Sequence, residues 1–203
     1  MNYHNITHDD MLNGEGLRVV LWTSGCDHKC KGCQNPQTWN CHNGIEFDIA
    51  AKDEIFEQLE KDYIDGITFS GGDPLHQNNV NEIFNLILEI KALFPNKSIW
   101  LYSGSTLEEI FFPLMINKPP TFTEQKRMDI ILNIDVLVDG EFKEELADIK
   151  YPWAGSTNQR VINIERTLET KKIVLWNSNY VTVSCETEES VVNSCETKNT
   201  INQ

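Results

Sequence analysis

The sequence predicts an α/β fold, a partial and open β/α barrel. Short runs of β-branched and apolar residues alternate with segments of helical periodicity at intervals of about 30 residues, which is typical of βαβ units and a parallel sheet. The number of such runs falls short of the eight that close a full barrel. In folds of this kind, ligands bind at the carboxyl ends of the strands, so we expect the functional residues there.

Five segments carry the strand pattern. The first, residues 17–23 (LRVVLWT), is an almost continuous apolar run, as expected of a strand buried on both faces. The others are residues 66–70, 98–102, 134–138 and 159–164. Each of the first four strands is followed by a loop. In chain order these loops are the cysteine-rich loop and the loops that begin with Gly71-Gly72, Ser103-Gly104 and Asp139-Gly140. Because parallel strands end at the same edge of a sheet, these four loops are predicted to meet.

Helical spacing of apolar residues predicts helices over residues 53–63, 79–94 and 106–111. Residues 112–127 contain three prolines and little periodicity, so we expect an irregular loop there.

The predicted domain spans residues 1–166. Residues 167–203 are expected to form a loosely ordered tail, because they are rich in Thr, Ser, Asn and Glu. Within the tail, residues 173–176 are expected to form a strand or to pack on the domain. A repeated Ser-Cys-Glu-Thr contains Cys185 and Cys195, which we interpret as exposed thiols, with a metal site as the alternative.

Composition excludes several functions. The chain of 203 residues carries a formal net charge of −14, which argues against non-specific binding to nucleic acid or to an anionic membrane surface. No segment approaches the roughly 20 apolar residues of a membrane span, and the polar start MNYHNITHDD lacks the apolar core of a signal peptide. We therefore expect a cytoplasmic protein. Reducing conditions there disfavour disulfides, so clustered cysteines are expected to bind a metal or to act in redox chemistry.

The loop after the first predicted strand spaces three cysteines as C-x3-C-x2-C, at Cys26, Cys30 and Cys33. Thiolates are soft ligands that suit iron–sulfur clusters and zinc. Electron-carrying [4Fe-4S] clusters use four cysteines, so three closely spaced ones would leave one iron open for another ligand. Gly25 and Gly32 allow the backbone to bend tightly around a compact group.

Other interpretations of this loop stay open on the residues alone. A zinc site could combine these cysteines with Cys41, His28 or His42, although only Cys30 and Cys33 have the two-residue spacing of a zinc knuckle. A thioredoxin-like dithiol would use Cys30 and Cys33. Cys41 could also serve as a fourth cluster ligand.

Several motifs, in register over residues 1–164, resemble one family. The cysteine spacing after the first strand resembles the radical S-adenosylmethionine superfamily, and the whole set resembles the activating proteins of the anaerobic (class III) ribonucleoside-triphosphate reductase. The fold that this implies is a partial β/α barrel of the radical S-adenosylmethionine type. The motifs are residues 13–18 (NGEGLR), 24–33 (SGCDHKCKGC), 35–39 (NPQTW), 70–75 (SGGDPL), 99–101 (IWL), 136–140 (VLVDG) and 155–160 (GSTNQR).

The resemblance implies radical chemistry. Cys26, Cys30 and Cys33 would ligate a [4Fe-4S] cluster, and the amino and carboxylate groups of S-adenosylmethionine would chelate the open iron. One electron from the reduced cluster would give methionine and a 5′-deoxyadenosyl radical, which would take a hydrogen atom from a glycine of the reductase and leave a glycyl radical. A flavodoxin- or ferredoxin-type protein is the implied electron donor.

The resemblance also implies cofactor-binding residues, which are Gly32, Cys33, Gln34, Gly71, Gly72, Asp73 and Ser103. The strip from Gly71 to Asp73 would receive the methionyl amino group, because glycine lets a bare backbone approach a ligand. Taken alone, this strip also predicts a turn at the end of a strand. Residues 32–34 would line the cofactor through their backbone, and Ser103 would approach its ribose. Gln34 stands where relatives usually carry Tyr, so Trp39 is the candidate aromatic cover.

Two other functions are compatible with the same residues. One is activation of a different glycyl-radical enzyme, such as a formate-lyase. The other is a non-catalytic zinc or iron–sulfur module.

Overall fold

The computed structural model describes residues 1–176. Cys185 and Cys195, with the repeated tetrapeptide that contains them, lie outside the described residues. Within residues 1–176, no helix is both long enough and apolar enough to cross a membrane.

Within the described chain, seven strands form one sheet. Their bounds are β1 Asn2–Asp10, β2 Arg18–Thr23, β3 Ile45–Glu46, β4 Gly66–Gly71, β5 Ser98–Tyr102, β6 Val136–Asp139 and β7 Arg160–Asn163. The spatial order is β3-β1-β2-β4-β5-β6-β7. The four central strands, β2, β4, β5 and β6, are parallel, whereas β1 and β7 pair with them in antiparallel fashion. The sheet therefore brings the loops after β2, β4, β5 and β6 to one edge.

The five α-helices of residues 1–176 cover one face of this sheet. Their bounds are α1 Ile49–Leu59, α2 Val80–Leu93, α3 Leu107–Met115, α4 Phe122–Ile131 and α5 Ile164–Thr170. Because side chains alternate across a strand, Leu21 and Phe69 join the core beneath the helices, whereas Trp100 and Val138 belong to a smaller apolar cluster on the opposite face. Loop residues, among them Trp153, pack on that second cluster.

The five predicted strands are confirmed, with small shifts at their ends. The first helix starts earlier than predicted, since the Asp48 side chain accepts a hydrogen bond from the backbone N–H of Ala51 and caps α1 at Ile49. Strand β1 was not predicted from the sequence. Its residues are mostly polar and only Ile6 is buried, so the apolar pattern that identifies the central strands is absent from it.

The prediction of an irregular loop over residues 112–127 is confirmed only for residues 116–121, because the rest of the segment is helical. Helix α3 continues through Pro113 to Met115, and α4 begins at Phe122. The start of α4 is fixed by a capping box, in which the Thr121 hydroxyl accepts from the N–H of Glu124 and the Glu124 carboxylate accepts from the N–H of Thr121. This Thr-x-x-Glu signal is visible in the sequence, but the prediction rested on the prolines and the weak periodicity and did not consider it.

The first residues of the predicted tail are part of the folded chain. Thr167 lies within α5 and is buried. Leu175 forms an isolated antiparallel bridge to Ile162, and the N–H of Trp176 donates to the carbonyl of Val161 at 2.7 Å. Residues 173–176 therefore pack against β7.

A buried arginine joins the central strands. Arg18 is fully buried, and its five N–H donors reach Thr68, Ser98, Ile67 and Glu15 at 2.7 to 3.0 Å. Burial lowers the pKa of its guanidinium to about 10. Because these acceptors lie before β2, on β4 and on β5, Arg18 fixes the three strands to one another.

A second arginine fixes the carboxyl edge of the sheet. Arg160 donates through Nε and Nη2 to the buried carboxylate of Asp139, at 2.9 and 2.5 Å, and through both Nη atoms to Glu108, at 2.9 and 2.6 Å. Asp139 also accepts from the N–H of Leu107 at 2.8 Å. The start of α3, the end of β6 and the start of β7 are therefore held together.

We expect Glu108→Gln to weaken this junction in a pH-dependent way. The hydrogen bonds from Arg160 hold the pKa of Glu108 below its usual value of 4.5. A carboxyl whose pKa is lower in the folded state stabilises the fold above about pH 4.5, and this contribution is lost as the pH falls through the folded-state pKa. The variant should lower the free energy of unfolding by about 1 kcal/mol at pH 7, since Glu108 is partly exposed.

Urea unfolding of the iron-free protein between pH 7 and pH 3, followed by circular dichroism, measures this effect. The difference between wild type and Glu108→Gln should shrink toward acid pH. Glu57→Gln, which removes an exposed carboxylate of α1, is the matched control. An equal loss of stability at all pH values would contradict the role assigned to the ion pair.

Candidate functional site

One cavity collects most of the residues that the sequence singled out. It has a volume of about 690 Å³ and lies on the face of the sheet opposite the helices. Its lining includes the predicted site residues Cys26, Cys30, Cys33, Gln34, Gly71, Gly72 and Ser103. Gly104 and Gly140 also line it, so all four loops at the carboxyl edge contribute. Gly32 and Asp73 are the two predicted site residues that do not line it.

The cysteine loop is held by backbone hydrogen bonds. The N–H of Gly25 donates to the carbonyl of Thr38 at 2.7 Å, and the N–H of Cys26 donates to the carbonyl of Trp39 at 3.0 Å. Gly25 and Gly32 have φ values of 103° and 71°, which glycine adopts without strain. The loop therefore has a defined path into and out of its turn.

Each of the three loop cysteines is a free thiol and half-buried. Burial raises the pKa of the Cys26 thiol to about 11, and burial also raises the pKa of Cys30. Thiols with raised pKa values are neutral at pH 7 in the absence of a metal. A metal that binds them as thiolates therefore has to displace their protons.

The Gly71-Gly72 strip lies against the start of the cysteine loop. A Cβ on Gly71 would lie 2.7 Å from the backbone N of Thr23, and one on Gly72 would lie 2.5 Å from the carbonyl oxygen of Gly25. Gly71 also has a φ of 100°. Both positions therefore require glycine, and the backbone of the strip is exposed to the cavity without intervening side chains.

Asp73 is buried behind the Gly71-Gly72 strip, and its hydrogen bonds connect several loops. Its Oδ1 accepts from the N–H of Leu75 at 2.8 Å, and its Oδ2 accepts from the Ser103 hydroxyl at 3.1 Å and faces His28 Nε2 at 3.0 Å. Its own N–H donates to the carbonyl of Gly25 at 2.7 Å. The carboxylate thus has three hydrogen-bond partners within the protein, and it joins the loops after β2, β4 and β5.

His28, the middle residue between Cys26 and Cys30, extends this network to the fourth loop. Its Nδ1 lies 2.9 Å from Glu141 Oε1, so both ring nitrogens face carboxylates. The hydrogen bond to Asp73, with a further contribution from Glu141, raises the pKa of His28 to about 9. A charged ring can donate from both nitrogens, which matches two acceptor-only partners.

The absence of a side chain at Gly104 leaves space for the His28 imidazole. A Cβ on Gly104 would lie 2.5 to 2.7 Å from three ring atoms of His28. Sequence reasoning weighed His28 only as a zinc ligand and did not consider Glu141. The spacing between His28 and Glu141 carries no local signal, because their contact depends on the pairing of β2, β4, β5 and β6.

The donor set fits a cluster better than a single ion. Within residues 1–176, no group of three or more His, Cys, Asp or Glu side chains is arranged to hold one metal ion. A cluster binds each thiolate through a different iron, so its ligands need not converge on one point. Cys41 is half-buried, and it lies outside the lining of the cavity that contains the other three cysteines.

Trp39 has an unpaired hydrogen-bond donor close to the cavity. The indole Nε1 of Trp39 is buried and has no hydrogen-bond acceptor within the described part of the chain, and Trp39 lines the cavity. A buried donor without an acceptor costs about 1–3 kcal/mol, so a ligand that offers an acceptor would stabilise this arrangement.

Comparison with known proteins supports a 4Fe-4S cluster domain. Residues 12–162, which include all three cysteines and Gly71-Gly72, match the family described as a 4Fe-4S single cluster domain. The chain is 42% identical to the anaerobic ribonucleoside-triphosphate reductase-activating protein of Enterobacteria phage T4 over 161 residues, which are 79% of this chain and 93% of the relative.

Bacterial relatives of the same name match to a similar extent. The protein of Escherichia coli K12 is 40% identical over 163 residues, covering 79% of this chain and 97% of its own. The protein of Vibrio cholerae is 38% identical over 161 residues, covering 78% and 96%. The chain belongs to the family of anaerobic ribonucleoside-triphosphate reductase-activating proteins. The match of residues 12–162 to a 4Fe-4S domain favours the iron–sulfur interpretation of the cysteine loop over zinc or a dithiol.

We expect His28→Ala to destabilise this protein through Asp73. Without the imidazole, the buried Asp73 carboxylate keeps its other hydrogen bonds but has no cation beside it. This loss should lower the free energy of unfolding by about 2 kcal/mol. Asp73→Asn in the same chain removes the unpaired charge, so the double variant should recover part of the loss.

A double-mutant cycle measured by urea unfolding of the iron-free protein checks this coupling. His8→Ala is the matched control, because His8 pairs with Glu54 at 2.8 Å on the exposed surface and should contribute less than about 0.5 kcal/mol. Strictly additive losses for His28→Ala and Asp73→Asn would contradict the coupling.

Proposed function

We propose that this protein activates the anaerobic ribonucleoside-triphosphate reductase by generating its glycyl radical, through reductive cleavage of S-adenosylmethionine on a [4Fe-4S] cluster. The observation that carries the proposal is one cavity that joins Cys26, Cys30 and Cys33 to the bare backbone of Gly71-Gly72, in a chain of the reductase-activase family. The open sheet with helices on one face is consistent with a partial β/α barrel of the radical S-adenosylmethionine type.

Cys26, Cys30 and Cys33 would hold three irons of the cluster and leave the fourth open. When bound, the cluster supplies the single electron that splits S-adenosylmethionine into methionine and a 5′-deoxyadenosyl radical, which takes a hydrogen atom from a glycine of the reductase. We propose a flavodoxin- or ferredoxin-type protein as the electron donor and the cytoplasm as the location, since the thiols have to stay reduced.

The Gly71-Gly72 strip would receive the methionyl amino group through its carbonyl oxygens. The N–H of Gly72 donates to Thr23 at 2.8 Å and the N–H of Asp73 donates to Gly25 at 2.7 Å, so these donors already have partners in the protein. An amino group that gives its lone pair to an iron still carries N–H donors, and carbonyl oxygens can accept hydrogen bonds from them. Asp73, which does not line the cavity, would position the strip and the cysteine loop relative to each other.

Three further positions would line the cofactor. Ser103 donates to Asp73 and accepts from the N–H of Ser105 at 3.1 Å, which leaves one lone pair of its hydroxyl for a ribose hydroxyl donor. The backbone from Gly32 to Gln34 would contact the cofactor beside the third cysteine. Gln34 carries no aromatic ring, and Trp39 is the aromatic residue of the same loop that lines the cavity.

The direct test is anaerobic mixing with the reductase. The reconstituted protein, reductant and S-adenosylmethionine should release 5′-deoxyadenosine and give a glycyl radical on the reductase, measured by electron paramagnetic resonance. A formate-lyase in place of the reductase should give none, because the relatives act on the reductase. A radical on the formate-lyase alone would assign the protein to that enzyme, and the absence of 5′-deoxyadenosine would rule out the radical step.

Replacing the loop cysteines should abolish the reaction. Cys26→Ala, Cys30→Ala and Cys33→Ala each remove one thiolate from an incomplete ligand set, so we expect loss of the about four irons per chain of the reconstituted protein and at least about a hundredfold loss of 5′-deoxyadenosine release. Iron analysis and product release measure both effects.

The matched controls are Cys41→Ala, Cys185→Ala and Cys195→Ala, which should keep their iron and their activity. An equal loss in Cys41→Ala would make Cys41 a fourth ligand. An equal loss in Cys185→Ala or Cys195→Ala would overturn the assignment of the three ligands to the loop.

A further inference from the structure

The cavity is longer than the cofactor end alone requires. It begins at the cysteine loop, which follows the carboxyl end of β2, and it extends to residues 10–13. Asp10 pairs with Arg18, and the chain after it folds back over the sheet, where the Asn13 carbonyl accepts from Thr68 at 2.7 Å. The cavity is therefore a groove that runs from the cysteine loop, past the carboxyl ends of the strands, to the loop of residues 10–13.

The half of the groove distant from the cysteines has apolar walls. Met11 and Leu12 line one side and are 70% and 82% exposed. Ile149 lines the groove on the loop that carries Pro152 and Trp153, and its side chain is fully exposed. Scattered exposed apolar residues are common, but three of them around one groove indicate a binding surface.

The loop that presents Met11 and Leu12 has a defined conformation. The Asp10 carboxylate accepts from the N–H groups of Leu12 and Asn13, both at 2.8 Å, and from the Asn13 side chain at 3.0 and 3.1 Å. The Asn13 carbonyl in turn accepts from Thr68 on β4 at 2.7 Å. The two apolar side chains are thus held out to solvent by the protein and are not exposed by fraying of the chain.

The loop that presents Ile149 is held in the same way. The N–H of Lys150 donates to the Asp148 carboxylate at 2.9 Å, and the Tyr151 hydroxyl donates to the carbonyl of Gln159 at 3.1 Å. Trp153 is fixed by the Tyr102 hydroxyl, which donates to its carbonyl at 2.7 Å. Both walls of the groove are therefore formed before any partner binds, which lowers the entropic cost of binding.

We propose that this half of the groove binds the glycine-bearing segment of the reductase in an extended conformation, with apolar side chains of that segment against Met11, Leu12 and Ile149. The inference rests on the proposed function, which requires a partner backbone to reach the cysteine end of the cavity. The groove is continuous with that end. Its apolar walls select an uncharged segment.

The test compares the dependence of glycyl-radical formation on reductase concentration in variants of the reconstituted protein. Leu12→Ser and Ile149→Ser should raise the reductase concentration at half-maximal rate by about five- to tenfold each, with recovery at saturating reductase, because they weaken binding and leave the chemistry in place. Ile49→Ser, which changes an equally apolar side chain of 73% exposure at the start of α1, should match the wild type.

The outcomes separate this inference from the function on which it rests. A selective rise in the half-maximal concentration for Leu12→Ser and Ile149→Ser supports the groove. Curves that coincide with those of wild type and Ile49→Ser overturn the groove and leave the proposed function intact. A wild-type protein that releases 5′-deoxyadenosine but forms no radical on the reductase overturns both.

Discussion

The carboxylate of Asp73 is the point at which the loops of the site are joined. It is buried, and each of its contacts belongs to a different part of the sheet edge: Leu75 follows β4, Ser103 follows β5, and His28 lies in the cysteine loop after β2. His28 adds the loop after β6 through Glu141. A buried carboxylate is costly unless it is paired and hydrogen-bonded, so these loops are held together by the requirement to satisfy one charge.

Asp73 can make these contacts only if the strands of the sheet stay in register. Arg18 fixes β2 against β4 and β5 from the amino end of β2, with every guanidinium donor used and a separation of 5.2 Å from the Trp100 ring. Arg160 fixes the other side, where Asp139 ends β6. The two arginines lie at opposite ends of the sheet. Because they fix the strands relative to one another, they also fix the positions of His28, Ser103 and Glu141 relative to Asp73. The geometry of the site is thus determined by the interior of the fold.

The sequence reveals what is encoded locally. Continuous apolar runs identified the five central and edge strands, and the C-x3-C-x2-C spacing identified the three thiols that share the cavity. The network of His28 could not be predicted, because its partners are 45 and 113 residues away and only strand pairing brings them close. Strand β1 was missed for a different reason, since a mostly polar strand beside the sheet edge has no apolar pattern.

The arrangement also determines how the cysteine loop meets a metal. In small zinc domains the metal supplies the folding energy, and the ligands are unfolded without it. Here the loop is shaped by hydrogen bonds from Gly25 to Thr38 and from Cys26 to Trp39, and by the contact of His28 with Asp73. These contacts fix the path of the loop, and a metal that binds its buried thiols as thiolates has to displace their protons. The site is therefore preorganised by the protein, and the same contacts that shape the loop keep it beside the Gly71-Gly72 strip.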